Sequence, residues 1–192
     1  INELGLAGVP LCVFALGSLL DYLGQTQRHG LERLQELEIY TDSQYMKLDL
    51  TARRNLEVLE TLRSGERRGS LLWVLDKTKT AMGKRLMRRI ICQPLISPPQ
   101  IERRLHAVEE LHRDQILCSA LQEQLADIHD MERLMTRIVY SNATPRDLVA
   151  LGRTAEKIPA VRALLDGVKS KNLTQVLERL DPLEDVKDSI FS

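Results

Sequence analysis

Residues 130–151 read DMERLMTRIVYSNATPRDLVAL, a pattern that is typical of two helices separated by a polar turn. In the first half, apolar residues such as Met131 and Leu134 recur at the three- and four-residue spacing that places side chains on one helix face. In the second half, Thr144 is a good helix-capping residue. Pro145 suits the first helical position, because its fixed φ and missing N–H cost nothing there. The stretch therefore predicts one helix that ends before the turn and a second helix that begins at Pro145.

The same periodicity extends to both sides of this stretch. Apolar stripes and start signals predict further helices at Pro10–Gln27, Thr51–Leu62, Ser70–Leu75 and Thr80–Cys92. A helix is also predicted from Ser97, with the apolar stripe Ile101, Leu105, Val108 and Leu111, and another over Leu117–Ile128. Shorter helices are predicted near Pro159, Leu173 and Pro182. The exception is residues 37–48, where apolar residues flank the turn-like Thr41-Asp42-Ser43 and predict a short β-hairpin. We therefore expect a mainly α fold, a multi-helix domain with one short hairpin near residues 37–48.

The composition agrees with a helical domain. The 192 residues include 34 leucines and only 4% aromatic residues, whereas strands favour β-branched and aromatic side chains. The 27 Lys and Arg residues balance 27 Asp and Glu residues, which argues against a protein that coats nucleic acid through bulk charge. Cys12, Cys92 and Cys118 are widely spaced in apolar stretches, so we expect buried free thiols in a reducing, cytosolic setting. No apolar run is long enough to span a membrane.

No catalytic or cofactor-binding pattern is visible in the sequence. Gly83-Lys84 lacks the upstream glycine and the following hydroxyl residue of a Walker loop, and no GxGxxG occurs. The histidines are His29, His106, His112 and His129. No two of them have the four-residue spacing that places a pair of imidazoles around a metal ion on one helix face. We therefore expect no catalytic residue, no metal ligand and no cofactor in this chain.

Positive charge is concentrated between Arg53 and Arg89, where eleven basic residues and four acidic residues give a net charge of +7. Two interpretations stay open. The segment forms a surface for nucleic-acid phosphates, in which case the candidates for direct contact are Arg67, Arg68, Arg88 and Arg89. Alternatively, its side chains form polar helix faces that pair with acidic helices elsewhere in the same protein.

Several stretches, in a consistent order along the chain, resemble signatures of the bacterial MutS family of DNA mismatch repair proteins. The stretches are DLTARRNLE at 49–57, SLLWVLDKTKTAMGKRL at 70–86, IERRLHAVEEL at 101–111, DMERL at 130–134 and TPRDL at 144–148. The earlier stretch GSLLDYL, at 17–23, is similar to the end of the family's connector domain. Because order and spacing agree over nearly the whole chain, the resemblance is far more specific than any single short motif.

The resemblance implies the end of the connector domain over residues 1–30 and the first part of the core, or lever, domain over residues 31–192, truncated before the DNA clamp. Family members read mismatches with an N-terminal domain and hydrolyse ATP with Mg²⁺ in a C-terminal domain, and this sequence carries the signature of neither. The implied role is a non-catalytic scaffold of a DNA-dependent ATPase, coupling the ATPase domain to the clamp and connector. The implied partners of the whole protein are mismatched duplex DNA, a MutL-type repair protein and a second copy of itself. The implied location is the bacterial cytoplasm at the nucleoid, without a membrane partner, and the fragment itself is expected to be a monomer.

Within this scaffold, certain polar residues are expected to hold helices together rather than to contact a ligand. These structural or coupling candidates are Asp49, Arg53, Arg54, Asn55, Asp76, Thr80, Gly83, Arg85, Arg133 and Arg146. We expect Thr80 to cap a helix, Gly83 to allow a close approach between helices, and Arg133 and Arg146 to form intramolecular ion pairs. Two other functions stay open from the sequence: a nucleic-acid-binding module that uses the basic Arg53–Arg89 segment, and a free-standing helical adaptor for protein partners.

Overall fold

A computed structural model of the chain describes residues 10–26 and 44–192. The chain divides into two compact units, residues 1–43 and residues 44–192. In the first unit, the described residues form helix α1 (Pro10–Thr26), which confirms the helix predicted to begin at Pro10. In the second unit, the described helices are α2 (Leu50–Asn55), α3 (Leu71–Leu75), α4 (Ala81–Cys92), α5 (Pro98–Arg113), α6 (Gln115–Ala126), α7 (Met131–Val139), α8 (Pro145–Leu164), α9 (Lys171–Arg179) and α10 (Glu184–Phe191). The predicted mainly α fold is therefore confirmed.

Six of the described helices begin with a side-chain cap, including the predicted caps at Thr80 and Thr144. In each cap, a side-chain oxygen accepts the backbone N–H of the third residue further along, an amide that the helix itself leaves unpaired. The capping residues are Asp49, Ser70, Thr80, Asp114, Asp130 and Thr144. Helix α5 instead begins with proline, and Ser97 before it makes no side-chain capping bond.

Helix α8 lies at the centre of the second unit and packs against α6, α7 and α10. A buried cluster joins Leu121 of α6 and the adjacent Ile128 to Ile158, Val161 and Leu165 at the end of α8. Burying one such aliphatic side chain contributes roughly 1.5–3 kcal/mol relative to leaving it exposed. This cluster therefore fixes α8 against the helix that precedes α7.

Helix α8 runs through Pro159, where the sequence predicted that a new helix begins, and that prediction is wrong. A proline inside a helix removes one backbone hydrogen bond and disfavours the preceding turn. However, Ile158 and Val161 on either side are only 5% and 6% exposed. Their burial in the cluster offsets the lost bond, so the helix continues to Leu164.

The short hairpin predicted near residues 37–48 is not seen among the described residues. Residues 37–43 lie outside the described part of the chain. Tyr45 instead forms an isolated antiparallel bridge with Leu95, flanked by backbone hydrogen bonds of 2.8 and 3.2 Å. The pairing partner is thus the segment that follows α4. An alternating local pattern cannot predict a pairing so distant in sequence.

Helix α2 is shorter than the predicted helix Thr51–Leu62. It ends at Asn55, and Glu57 has a left-handed φ of 47°. The Glu57 carboxylate accepts the N–H of Leu62 at 2.6 Å, and its carbonyl accepts the N–H of Leu71 at 3.0 Å. The chain after α2 therefore turns to meet the start of α3 instead of continuing as a helix.

Two sets of apolar residues expected in the core are partly exposed. In the stripe of α5, Ile101, Leu105 and Val108 are 37%, 58% and 62% exposed, while Ala107 on another face is buried. Trp73 of α3 is also partly exposed, at 46%. Helical spacing identified the helix correctly, but the side that packs on α6 and α9 was not the most apolar one.

The three cysteines are free thiols. Cys12 is exposed, which contradicts the burial predicted from its apolar neighbours, because α1 buries no residue in the described part of its unit. Cys92 and Cys118 are partly buried. Within residues 10–26 and 44–192, no helix has the length and apolar character needed to cross a membrane.

Thr154 connects the middle of α8 to the junction between α6 and α7. Its side chain is fully buried, and its Oγ1 donates to the Ala150 carbonyl at 3.0 Å. The same oxygen accepts the backbone N–H of His129 at 3.2 Å. A buried amide that loses its acceptor keeps its full desolvation penalty. Thr154 therefore holds the α6–α7 junction against α8.

We expect Thr154→Val to lower the free energy of unfolding by about 1–3 kcal/mol, because the shape is kept while His129 loses its acceptor. Thr136→Val is the matched control. Thr136 also bonds the carbonyl four residues earlier but is exposed, so its replacement is expected to change stability by less than about 0.5 kcal/mol. Urea unfolding followed by circular dichroism measures both. Equal losses in the two variants would contradict the role assigned to Thr154.

Candidate functional site

Arg85 of α4 joins the N-terminal segment, defined as residues 44–97, to the C-terminal segment, residues 98–192. Its Nη1 and Nη2 donate to the two carboxylate oxygens of Asp130 at 2.8 and 2.6 Å. Its Nε and Nη2 also donate to Glu132 Oε2 at 2.9 and 2.5 Å. Among the described residues, these are the only side-chain hydrogen bonds and ion pairs between the two segments. The predicted coupling candidate Arg85 therefore lies at their junction.

The geometry of this junction requires an arginine. A guanidinium presents donors on several edges of one plane, so Arg85 binds Asp130 through two parallel bonds while a further edge binds Glu132. Asp130 is also the cap of α7, where its carboxylate accepts the N–H of Arg133 at 3.3 Å. A carboxylate at a helix N-terminus interacts favourably with the helix dipole. Asp130 thus fixes the start of α7 and holds α4 at the same point.

Charge pairing shifts the pKa values at the junction. The hydrogen bonds from Arg85 hold the pKa of Asp130 below its usual range. The hydrogen bond to Asp130, and to a smaller extent the one to Glu132, raises the pKa of the Arg85 guanidinium. Because the pKa of Asp130 is lower in the folded chain than in the unfolded chain, the pair stabilises the fold above the ordinary carboxyl pKa. That stabilisation is lost as the pH falls through the depressed value.

The turn between α3 and α4 is closed by Asp76, another predicted coupling residue. Its carboxylate accepts the Thr78 hydroxyl at 2.5 Å and the Thr78 N–H at 3.1 Å, and it pairs with Arg67. The Thr78 hydroxyl is the main cause of a lowered Asp76 pKa, with Arg67 contributing less. Ser70, which is fully buried, caps α3 and donates to the Arg67 carbonyl at 2.7 Å. These bonds fix the direction in which α4 leaves the turn.

Thr80 and Gly83 form the first turn of α4. Thr80 Oγ1 accepts the Gly83 N–H at 2.9 Å, as predicted for a capping residue. A Cβ on Gly83 would lie 2.9 Å from Thr80 Oγ1 and 3.2 Å from Thr78 Cβ. The nearest approach to Gly83 is therefore made by the capping turn, and the predicted approach to a neighbouring helix stays a prediction. Arg85 follows two residues later and is directed by this turn toward α7.

The predicted polar junction at residues 49–55 has two parts. Asp49 caps α2 and accepts the Ala52 N–H at 2.6 Å. Arg53 and Arg54 line a hollow of about 480 Å³ together with Arg88 of α4. Asn55 is exposed at the end of α2. Asp49 therefore has a structural role, whereas the two arginines face a surface cavity.

Neither Arg133 nor Arg146 forms an ion pair among the described residues, and their predicted ion pairs stay a prediction. The ion pair between α7 and α8 is formed by Arg137, whose Nη1 lies 2.7 Å from Asp147 Oδ1. Asp147 is buried in the capping box of α8 and faces the end of α7, which Arg137 reaches. Arg133 is exposed, and its backbone N–H contributes to the α7 cap. The reach of each arginine depends on which face of its helix it occupies.

The four arginines predicted to contact phosphates have different surroundings in the structure. Arg67 is bound internally to Asp76. Arg68, Arg88 and Arg89 are exposed and have no ion pair within the described part of the chain. The segment with a net charge of +7 therefore combines internal ion pairs with a smaller set of exposed guanidinium groups.

Sequence reasoning missed the contacts that hold α9. Glu110 of α5 accepts the N–H groups of Lys169 and Ser170 at 2.6 and 2.7 Å, and these donors lower the pKa of Glu110. At the other end of α9, Arg162 of α8 donates to the Leu177 carbonyl at 3.2 Å. Both ends of the helix are thus satisfied by residues on other helices. No local spacing signals such contacts.

Hydrogen bonds and ion pairs connect the polar side chains of the described helices. Within residues 10–26 and 44–192, no three His, Cys, Asp or Glu side chains are grouped so that they could hold a metal ion. The polar residues at the Arg85 junction, in the turn between α3 and α4, and in the Arg137–Asp147 ion pair bind to one another and to helix ends. Such an arrangement fixes the relative positions of helices α3, α4, α7 and α8.

Comparison with known proteins gives a consistent match. The family model for MutS domain III matches residues 51–191. The chain is 43% identical over 190 residues to the DNA mismatch repair protein MutS of Lachnoclostridium phytofermentans, 42% over 192 residues to that of Alkaliphilus oremlandii, and 41% over 172 residues to that of a Geobacillus species. These alignments cover 99%, 100% and 90% of the chain but only 20%, 22% and 20% of the relatives. The chain spans about a fifth of the length of the curated relatives it matches.

We expect Arg85→Gln to raise the pKa of Asp130 toward the ordinary value for an aspartate, because the charged donors that favour the carboxylate are lost. Carboxyl-carbon NMR titration measures this pKa directly. Arg113→Gln is the control, since it removes an exposed arginine that pairs with Glu109 within α5. An Asp130 pKa that is the same in the Arg85→Gln variant and in the unmodified chain would contradict the geometry of the junction.

Proposed function

Because this chain belongs to the MutS family of DNA mismatch repair proteins, we propose that it is a non-catalytic coupling segment of a mismatch-recognition ATPase. The match to MutS domain III carries this proposal. The names of the relatives supply the process, DNA mismatch repair. The sequence adds support, because it contains no phosphate-binding loop of the Walker type.

In the proposed domain arrangement, residues 1–30 are the end of the connector and residues 31–192 are the first part of the core, or lever, ahead of the clamp. The proposed boundary precedes the division between the compact units at residues 43 and 44. The helical packing of residues 44–192 supports a lever, because packed interiors have low compressibility and transmit strain.

The proposed path of coupling runs from α4 through α7 to α8. Arg85 connects α4 to Asp130 at the start of α7. Arg137 connects the last turn of α7 to Asp147 at the start of α8. A displacement of α4 therefore acts on both ends of α7 and on the central helix. Ion pairs between rigid helices are one physical route by which distant sites are coupled.

The whole protein is proposed to bind mismatched duplex DNA and to hydrolyse ATP with Mg²⁺ through domains outside this chain. The family resemblance is the basis for a MutL-type partner, a homodimeric whole protein, a monomeric fragment and a place in the bacterial cytoplasm at the nucleoid. A DNA-binding module over Arg53–Arg89 is less well supported. Arg67 and Arg85, two of its arginines, are engaged in internal ion pairs.

A chimera tests the proposed coupling. This chain replaces the matching segment of the Alkaliphilus oremlandii protein, with which it aligns over all 192 residues. ATP hydrolysis is then measured with and without a G·T-mismatched duplex. We expect Arg85→Gln to leave hydrolysis without DNA nearly unchanged and to reduce the effect of the mismatch by about fivefold or more, because allosteric coupling factors of this size are typical.

Arg113→Gln in the same chimera is the control, since it removes an exposed arginine on α5 away from the junction. Equal DNA effects in the two variants would contradict the coupling role. The chain alone is expected to hydrolyse no ATP and to bind matched and mismatched duplexes equally weakly. Preferential binding of the mismatch by the chain alone would instead support the DNA-binding module.

A further inference from the structure

A surface hollow of about 480 Å³ lies between α2, the loop that follows it, and α4. Its charged lining consists of Arg53 and Arg54 from α2, Arg88 from α4, and Glu60 from the loop. Three guanidinium groups thus face one carboxylate, which leaves the hollow with a positive charge. This concentration is local, since the complete chain has no net charge.

The arginines of the hollow differ from those of the helix junctions. Arg67 and Arg85 are held by carboxylates, whereas Arg53, Arg54 and Arg88 form no ion pair among the described residues. The Nε–H of Arg53 has no hydrogen-bond acceptor among the described residues but is buried away from solvent. Arg54 and Arg88 are exposed, so their unpaired guanidinium groups are the ones that an anionic group with paired oxygen atoms, such as a carboxylate, can reach from the hollow.

The hollow also has an apolar lining, which narrows the class of ligand. Leu50 and Leu62 contribute to it, and they are 82% and 49% exposed. The neighbouring Leu56 is 63% exposed. The backbone of duplex DNA carries phosphates and sugars but no branched aliphatic side chain that would cover these leucines. A peptide covers both features at once when it carries carboxylates next to an aliphatic side chain.

We propose that this three-arginine hollow is a docking site for a partner protein, which it binds through an acidic peptide segment with leucine-type side chains. The partner's carboxylates bind Arg54 and Arg88 at the rim, and its aliphatic side chain packs on Leu50 and Leu62. Glu60 opposes the negative charge of the segment and limits the affinity. The lining of this hollow does not include Arg85, Asp130 or Glu132, so this inference does not depend on the proposed coupling role.

Fluorescence anisotropy of the complete chain with the labelled peptide GDELLEELDG tests the site. The amide peptide GNQLLQQLNG removes the charges, and GDESSEESDG removes the leucines. We expect binding of the first peptide only. Arg54→Gln and Arg88→Gln are each expected to weaken it about tenfold, the loss that corresponds to one hydrogen bond to a charged group. Both side chains are exposed, so the fold is expected to persist, which circular dichroism checks.

Two further variants distinguish binding at the hollow from an effect of overall charge and from partial unfolding of the chain. Arg68→Gln removes the same charge from an exposed position outside the hollow and is expected to weaken binding by less than about twofold. Glu60→Gln is expected to strengthen binding about two- to threefold, a gain that partial unfolding cannot produce.

Several results would overturn the proposal. One is the absence of binding by the acidic leucine peptide, and another is equal binding of the leucine-free peptide. Equal weakening by Arg68→Gln and Arg54→Gln would assign the effect to overall charge. Displacement of the peptide by inorganic phosphate, or by a short DNA duplex that binds more tightly, would assign the hollow to phosphate groups instead.

Discussion

The position of α4 relative to α7 depends on the guanidinium of Arg85, which is held on several edges by Asp130 and Glu132. A lysine could not replace it, because one ammonium cannot make parallel bonds to one carboxylate while binding a second. The buried cap and closed turn ahead of α4 aim this side chain at α7. Helix α8 packs on α6 and α7 and thereby holds α7 in place for the contact with Arg85.

Features that depend on neighbours in sequence could be predicted, and features that depend on distant residues could not. The caps at Thr80 and Thr144 follow from side chains three residues from their partners. The Arg85 junction joins residues 45 and 47 positions apart, so the motifs suggested its members but not their contact. Arg137, rather than the predicted arginines, pairs with Asp147, because helix rotation decides which side chain reaches α8. The pairing of residues 44–46 with the segment after α4 is similarly long-range.

The partly exposed apolar faces are consistent with a chain that spans about a fifth of its relatives. Periodicity identified helix α5 correctly, yet Leu105 and Val108 lie toward solvent. An apolar pattern indicates that a helix face is buried, but it does not show whether the residues that cover this face belong to the same chain. The polar contacts are better guides to what the chain does by itself. They bind helix to helix, as the proposed lever role requires.

Hydrogen exchange of the backbone amides in the unmodified chain and in the Arg85→Gln variant tests most directly whether Arg85 holds the two segments together. We expect faster exchange both in α4 and in the first turns of α7, because each loses its connection to the other. Exchange in α9 is expected to stay unchanged, since Glu110 and Arg162 hold that helix independently. Unchanged exchange in α4 and α7 would show that packing alone joins the segments and would contradict the central role of Arg85.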